Sequence, residues 1–227
     1  MTDMFPDQQP QETAPQGGEY LVLARKYRPQ TFADMIGQDA PVTTLSNAIK
    51  ANKIHHAYVL TGIRGVGKTT TARIVAKALN CDDGPSITWA DDDTQCKAIA
   101  EGRHVDVLEF DAASHTGVED IRDLFEGVHY PPVQGRYKIY IIDEVHMLSK
   151  AAFNALLKTL EEPPAQVKFI FATTEVHKIP VTVLSRCQRF DLRRVSAEEL
   201  QKHFETLQKK EEVKASPAAI RLISRAA

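Results

Sequence analysis

The chain has 227 residues, 43% hydrophobic and 26% charged, the balance of a folded globular protein with room for an α/β domain and part of another. A formal net charge of −2 and a pI near 6.4 exclude a protein that coats nucleic acid by bulk positive charge, so any DNA contact must be local or built by assembly. No run approaches the ~18 apolar residues of a membrane span, the N-terminus lacks a basic-plus-apolar signal segment, and the three cysteines are too few for a disulfide framework and fit a reducing compartment. A cytoplasmic location away from membranes is expected.

Residues 1–19 are rich in proline and glutamine with little apolar material, so they read as a disordered tail. From Tyr20 the pattern tightens. Pro41 opens a helix that runs to Lys50, and the apolar run Ala57–Leu60 reads as a buried strand leading directly into a glycine-rich loop. Three further runs, Val105–Phe110, Tyr137–Ile142 and Val167–Ala172, have strand length and alternate with helical stretches. That alternation predicts an α/β fold with a parallel sheet flanked by helices. An acidic insert, Asp82–Asp93, reads as a surface loop or small appended module. After Phe190–Arg193 come two amphipathic helices, Ala197–Glu211 and Pro217 onward, the start of an all-helical part. The expected division is a tail over 1–19, a nucleotide-binding domain over 20–188 with an insert over 82–103, and the beginning of a helical lid over 189–227. The chain stops inside a helical pattern without a cap, so a piece of a longer protein is expected.

Gly62-Ile63-Arg64-Gly65-Val66-Gly67-Lys68-Thr69 fits G-x-x-x-x-G-K-[ST], placed after a predicted strand and opening a helix. In such a loop, backbone N–H groups wrap phosphates and the helix N-terminus adds partial positive charge. Lys68 reaches the β and γ phosphates, the Thr69 hydroxyl ligates Mg²⁺, and Thr70 continues the cradle. Downstream, Ile139–Ile142 is an apolar strand ending in Asp143-Glu144. Asp143 would hold Mg²⁺ and Glu144 would orient or deprotonate the attacking water. Alone, the two acids would equally suit the start of a helix; beside a phosphate loop they read as a catalytic pair. The cofactors implied are ATP and Mg²⁺.

Asp143-Glu144-Val145-His146 resembles the DEVH string of AAA+ clamp-loader ATPases, and Ser185-Arg186-Cys187, lying after Ala172-Thr173-Thr174, resembles their SRC motif. Leu23–Pro29, with Phe32 and Ile36-Gly37-Gln38, is similar to the adenine-side segment of the bacterial gamma/tau family, and Leu156–Pro163 to its following helix. The resemblance covers nearly all of the chain after Tyr20. It implies an AAA+ P-loop NTPase with Thr174 as the residue that senses the γ-phosphate and Arg186 as an arginine finger supplied in trans. Tyr27 and Arg28 either line the nucleotide or pack their segment on the core. The implied partners are copies of the chain, delta and delta-prime subunits, a sliding clamp and primer–template DNA.

The same family carries a zinc module with four cysteines. Here Cys81 and Cys96 match its outer ligands, but Ala90 and Asp93 stand at the middle two. Two thiolates and one carboxylate leave a tetrahedral zinc site incomplete, so a metal-free insert is expected, with Asp91, Asp92 and His104 as the side chains that could complete a shell. Other functions stay open at this level. One is another AAA+ DNA motor such as a branch-migration helicase subunit, against which Ser185-Arg186-Cys187 speaks. The other is a nucleotide-gated scaffold without turnover, against which the intact Lys68, Thr69, Asp143 and Glu144 speak.

Overall fold

In the computed structural model, residues 22–114 and 126–226 are described; the expected tail over 1–19 lies outside them. The apolar runs become β1 (Ala57–Thr61), β2 (Val107–Asp111), β3 (Lys138–Asp143) and β4 (Val167–Thr173), and a fifth strand, β5 (Gln188–Asp191), follows. Every neighbouring pair is parallel and the order is β2-β3-β4-β1-β5. All residues of β1 and β4 are buried, as strands covered on both faces require. The edge strands β2 and β5 are more open: in β5 only Phe190 is buried.

The sequence reading did not anticipate β5. It places residues 188–191 in the sheet, beside β1, so the boundary expected at residue 189 cuts a strand. A four-residue edge strand with one buried side chain has too little apolar alternation to announce itself.

Successive side chains of a strand point to opposite faces, and two cores follow. On one face Ile139, Ile141 and Ile170 meet Leu45 and Ile49 of α2 (Asp39–Lys50) and Ile74, Val75 and Leu79 of α3 (Lys68–Asn80). On the other, Tyr140, Ile142, Phe169 and Phe171 meet Phe153, Leu156 and Leu160 of α5 (Lys150–Glu161). Tyr140 stacks on Phe169 with ring centroids 5.4 Å apart. Phe169 has no exposed surface, so truncation to alanine would cost about 3–5 kcal/mol. Pro41 sits in the first turn of α2, where its missing N–H costs nothing, so the helix begins two residues earlier than the proline suggests.

Polar pins set the register of these layers. The Asn80 side chain exchanges two hydrogen bonds with the backbone of Tyr137, tying the end of α3 to the start of β3. Asp106, buried before β2, accepts from the N–H groups of Val133, Gln134 and Gly135 at 2.7–2.8 Å. Its neighbour His104 is also buried, with Nε2 on Gln95 and Nδ1 accepting from the Asp106 N–H.

The short helix α1 (Leu23–Lys26) and α4 (Thr94–Ala100) lie before α2 and within the insert, and α6 (Val181–Leu184) precedes β5. Past the sheet come α7 (Ala197–Lys210), started by a capping box between Ser196 and Glu199, and α8 (Pro217–Ala226). Tyr27 and Lys26 both donate to Glu211, joining the segment before α2 to the end of α7.

Candidate functional site

In an open parallel sheet, ligands bind beyond the carboxyl ends of the strands. The registers Thr61↔Thr173 and Asp111↔Asp143 bring the ends of β1, β4, β2 and β3 to one edge. The glycine-rich loop, the Asp143-Glu144 pair and Thr174 leave the sheet there. Between them lies an open cavity of about 700 Å³, lined by Arg28, Arg64, Gly65, Gly67, Lys68, Thr69, Thr70, Asp143, Glu144 and Thr174 among others.

The loop's shape follows from its glycines. Gly65 and Gly67 have φ of +79° and +103°, and a Cβ on either would meet nothing within 4 Å, so both face open space. Gly62, at φ +147°, is required for a different reason: a Cβ there would lie 2.7 Å from the Leu192 carbonyl oxygen. Lys68 opens α3 and is buried, with Nζ donating to the carbonyls of Gly62 and Ile63 at 3.0 and 3.1 Å. Burial pulls its pKa below the usual lysine value, against the carboxylates of Glu144 and Asp143, which raise it. The Thr69 hydroxyl donates to Asp143 Oδ2 at 2.5 Å, so the two side chains expected to share a divalent cation lie within one ion's reach.

Glu144 adopts φ 45° and ψ 43°, a left-handed conformation that costs a non-glycine residue about 1–2 kcal/mol. Three groups meet its Oε2. Thr174 donates from its hydroxyl at 3.2 Å and its N–H at 3.4 Å, and Nδ1 of His146 lies at 3.3 Å. His146 is nearly buried and reaches Thr173 Oγ1 at 3.0 Å and Glu175 at 3.4 Å. Its place in the string after Glu144 was the available signal. Asp111, Ala113 and Met147 also line the cavity; no motif marked them.

Arg28 donates from Nε to Thr70 Oγ1 at 2.9 Å and stands where this cavity meets a second one, of about 280 Å³, that Tyr27 and Val66 line. Burial lowers the Arg28 pKa, with Arg73 adding to the effect and Glu109 and Asp143 opposing it. Arg186 does not line the cavity. Its guanidinium donates to Glu161 at 2.8 Å and to the Thr182 carbonyl at 2.6 Å, on the chain's own surface.

Cys81 and Cys96 are buried thiols whose pKa values burial raises, the opposite of what metal-binding thiolates need. Asp93 does not join them as a free ligand: its carboxylate caps α4, accepting from the N–H groups of Cys96 at 2.7 Å and Asp82 at 2.9 Å. Both ring nitrogens of His104 are engaged as described above. Among the described residues no group of three or more His, Cys, Asp or Glu is arranged to hold a metal. The residues at this place do not fit zinc.

A family model described as DNA polymerase III, delta subunit, matches residues 37–196. The chain is 53% identical over 208 residues to DNA polymerase III subunit tau of Salmonella typhimurium, covering 92% of this chain and 32% of that protein. It is 47% identical over 205 residues to DNA polymerase III subunit gamma of Buchnera aphidicola subsp. Acyrthosiphon pisum, covering 90% and 57%. It thus spans about a third of the tau relatives' length and somewhat over half of the gamma relative's. Among solved structures it superposes on the RuvB Holliday junction branch migration motor of Thermotoga maritima with a TM-score of 0.64 at 21% identity, covering 87% of this chain and 59% of that one. A DNA polymerase III gamma subunit-related protein of the same organism gives 0.54 at 21% identity, covering 73% and 52%. The structural likenesses establish the fold, a five-stranded parallel sheet flanked by helices, and do not separate one protein of that fold from another. The sequence match does: the chain belongs to the DNA polymerase III family that the model describes, and its relatives at about 50% identity are tau and gamma subunits.

Proposed function

We propose that the chain is an ATP-binding and ATP-hydrolysing subunit of a DNA polymerase III clamp loader, acting in the cytoplasm with copies of itself, delta and delta-prime subunits, the sliding clamp and primer–template DNA. The observation that carries this reading is the convergence of Lys68, Thr69, Asp143, Glu144 and Thr174 on one cavity at the strand ends. In this reading residues up to Leu192 form the nucleotide-binding domain, and α7 and α8 begin a helical lid.

Thr69 and Asp143 would hold Mg²⁺, which when bound neutralises phosphate charge and polarises the γ-phosphoryl group. Lys68, drawn from the loop carbonyls it now meets, pairs with the β and γ phosphates of the substrate. The backbone N–H groups at Gly65 and Gly67 wrap the phosphate chain, unobstructed by side chains. Glu144 orients the attacking water, and Thr174 links the catalytic carboxylate to the tip of β4, where the γ-phosphate would lie. Arg186, outside the lining of its own chain's cavity, suits a group delivered to a neighbour's site. The insert holds no zinc, its turn being closed by Asp93.

The test is ATP turnover by the reconstituted assembly with and without clamp and primed DNA, with a Glu144→Gln assembly as control. Stimulation by both, abolished in the control, is expected. Nucleotide binding without turnover would replace the motor by a nucleotide-gated scaffold, and turnover indifferent to the clamp would point to a different DNA motor.

A further inference from the structure

The second cavity shares Arg28, Gly65, Gly67 and Thr70 with the cavity at the strand ends. A nucleotide whose phosphates occupy the first would therefore lay its base in the second. Its walls are partly apolar, from Ala24, Met35, Ile36, Val66 and Val195, which suits a flat ring placed between side chains. What such a wall lacks is a group to read the edge of the base.

Most polar side chains around it are already committed. Gln38 is bonded at both ends of its amide to the backbone of Arg193, at 2.7 and 3.1 Å. The Tyr27 hydroxyl donates to Glu211, and Arg28 Nε donates to the Thr70 hydroxyl. His203 differs. It projects from α7 to the cavity and is half-buried, its ring tilted against Phe204 with centroids 6.2 Å apart. Neither of its ring nitrogens has a hydrogen-bond partner among the described residues. Burial, with the Lys210 charge adding to it, holds its pKa below the ordinary histidine value. The neutral ring carries one N–H and one bare nitrogen acceptor.

We propose that His203 is a specificity-determining residue of the nucleotide site, its bare ring nitrogen accepting a hydrogen bond from the exocyclic amino group of an adenine seated in this second cavity. The proposal rests on the nucleotide-binding reading above. Adenine offers a donor at N6 beside ring-nitrogen acceptors, whereas a purine without the amino group leaves the imidazole acceptor unanswered. A hydrogen-bonding site rejects an analogue lacking its partner because the protein group is then left unpaired.

The experiment compares equilibrium binding of three probes, ATP, purine riboside 5′-triphosphate and inorganic tripolyphosphate, to the 227-residue chain and its His203→Ala variant. The wild type is expected to prefer ATP to the amino-less analogue by about 3- to 10-fold, the scale of one neutral hydrogen bond. In His203→Ala that preference should vanish through weaker ATP binding, with tripolyphosphate binding unchanged, which also reports that the variant is folded. A preference for ATP that survives in His203→Ala would overturn the assignment while leaving the nucleotide site intact. Wild-type binding of ATP no tighter than tripolyphosphate, and insensitive to Lys68→Ala, would overturn the site and with it the role of His203.

Discussion

Arg186 and Glu161 form an ion pair within one chain, Nη2 to Oε1 2.8 Å, with side chains 33% and 53% exposed. Pairs this open contribute less than about 1 kcal/mol, so the guanidinium is held in place yet free to leave for a neighbouring subunit. Glu161→Ala should change unfolding free energy by less than about 1 kcal/mol in a urea titration. Arg186→Ala should leave the variant's own ATP affinity intact and slow hydrolysis at the facing site by about 10³–10⁵. Assemblies mixing Arg186→Ala with Lys68→Ala chains should recover activity that neither variant has alone; no recovery would show that Arg186 does not act in trans.

Glu144→Gln keeps the size of the side chain and its contact with Thr174 but removes the base. ATP affinity should be retained while hydrolysis slows by about 10²–10⁴, the range of positioned general-base catalysis. Single-turnover kinetics of the assembly checks this, and an unchanged rate would move the base to another residue.

The acid side of the stability profile should carry the mark of Asp106. Burial alone would raise its pKa, but the N–H groups of Gly135, Val133 and Gln134 together bring it below the ordinary carboxylate value. A depressed folded-state pKa means that the contribution is fully present above the unfolded value of about 3.9 and is lost as pH falls through the folded one. Asp106→Asn should therefore cost about 2–3 kcal/mol at pH 7, and the gap to wild type in denaturant titrations should close as the pH drops below about 4. Equal stability at pH 7 would deny the three bonds their role.

The insert should hold its shape without zinc. Metal analysis should find far less than one zinc per chain, chelation should leave the melting temperature unchanged, and Asp93→Ala should destabilise by about 1–2 kcal/mol, the value of a strong helix cap. A stoichiometric zinc that resists mild chelation would show that other side chains complete a shell.

Much of the site could be read because its chemistry demands fixed spacing: the residues from Gly62 to Thr69 and the Asp143-Glu144 pair declare themselves in eight and two consecutive positions. The strands β1, β3 and β4 were legible for a related reason, since burial along most of their length leaves runs that are mainly apolar. What escaped depends on contacts between distant residues. Asp106 meets a loop some 27 to 29 positions away, and His203 reaches the cavity of a loop more than a hundred residues earlier. Asp93 reads in the sequence as a failed zinc ligand, and its capping bonds exist only in the fold. The edge strand β5 and the grip of His146 on Glu144 likewise appear only when the chain is folded.

The central claim, that the loop from Gly62 to Thr69 binds ATP through Lys68, is tested most directly by the equilibrium affinity of the wild type and Lys68→Ala for ATP with Mg²⁺. Loss of a charge-assisted contact to both phosphates should weaken binding by at least about 10²-fold. Binding by Lys68→Ala within about threefold of the wild type would contradict the account.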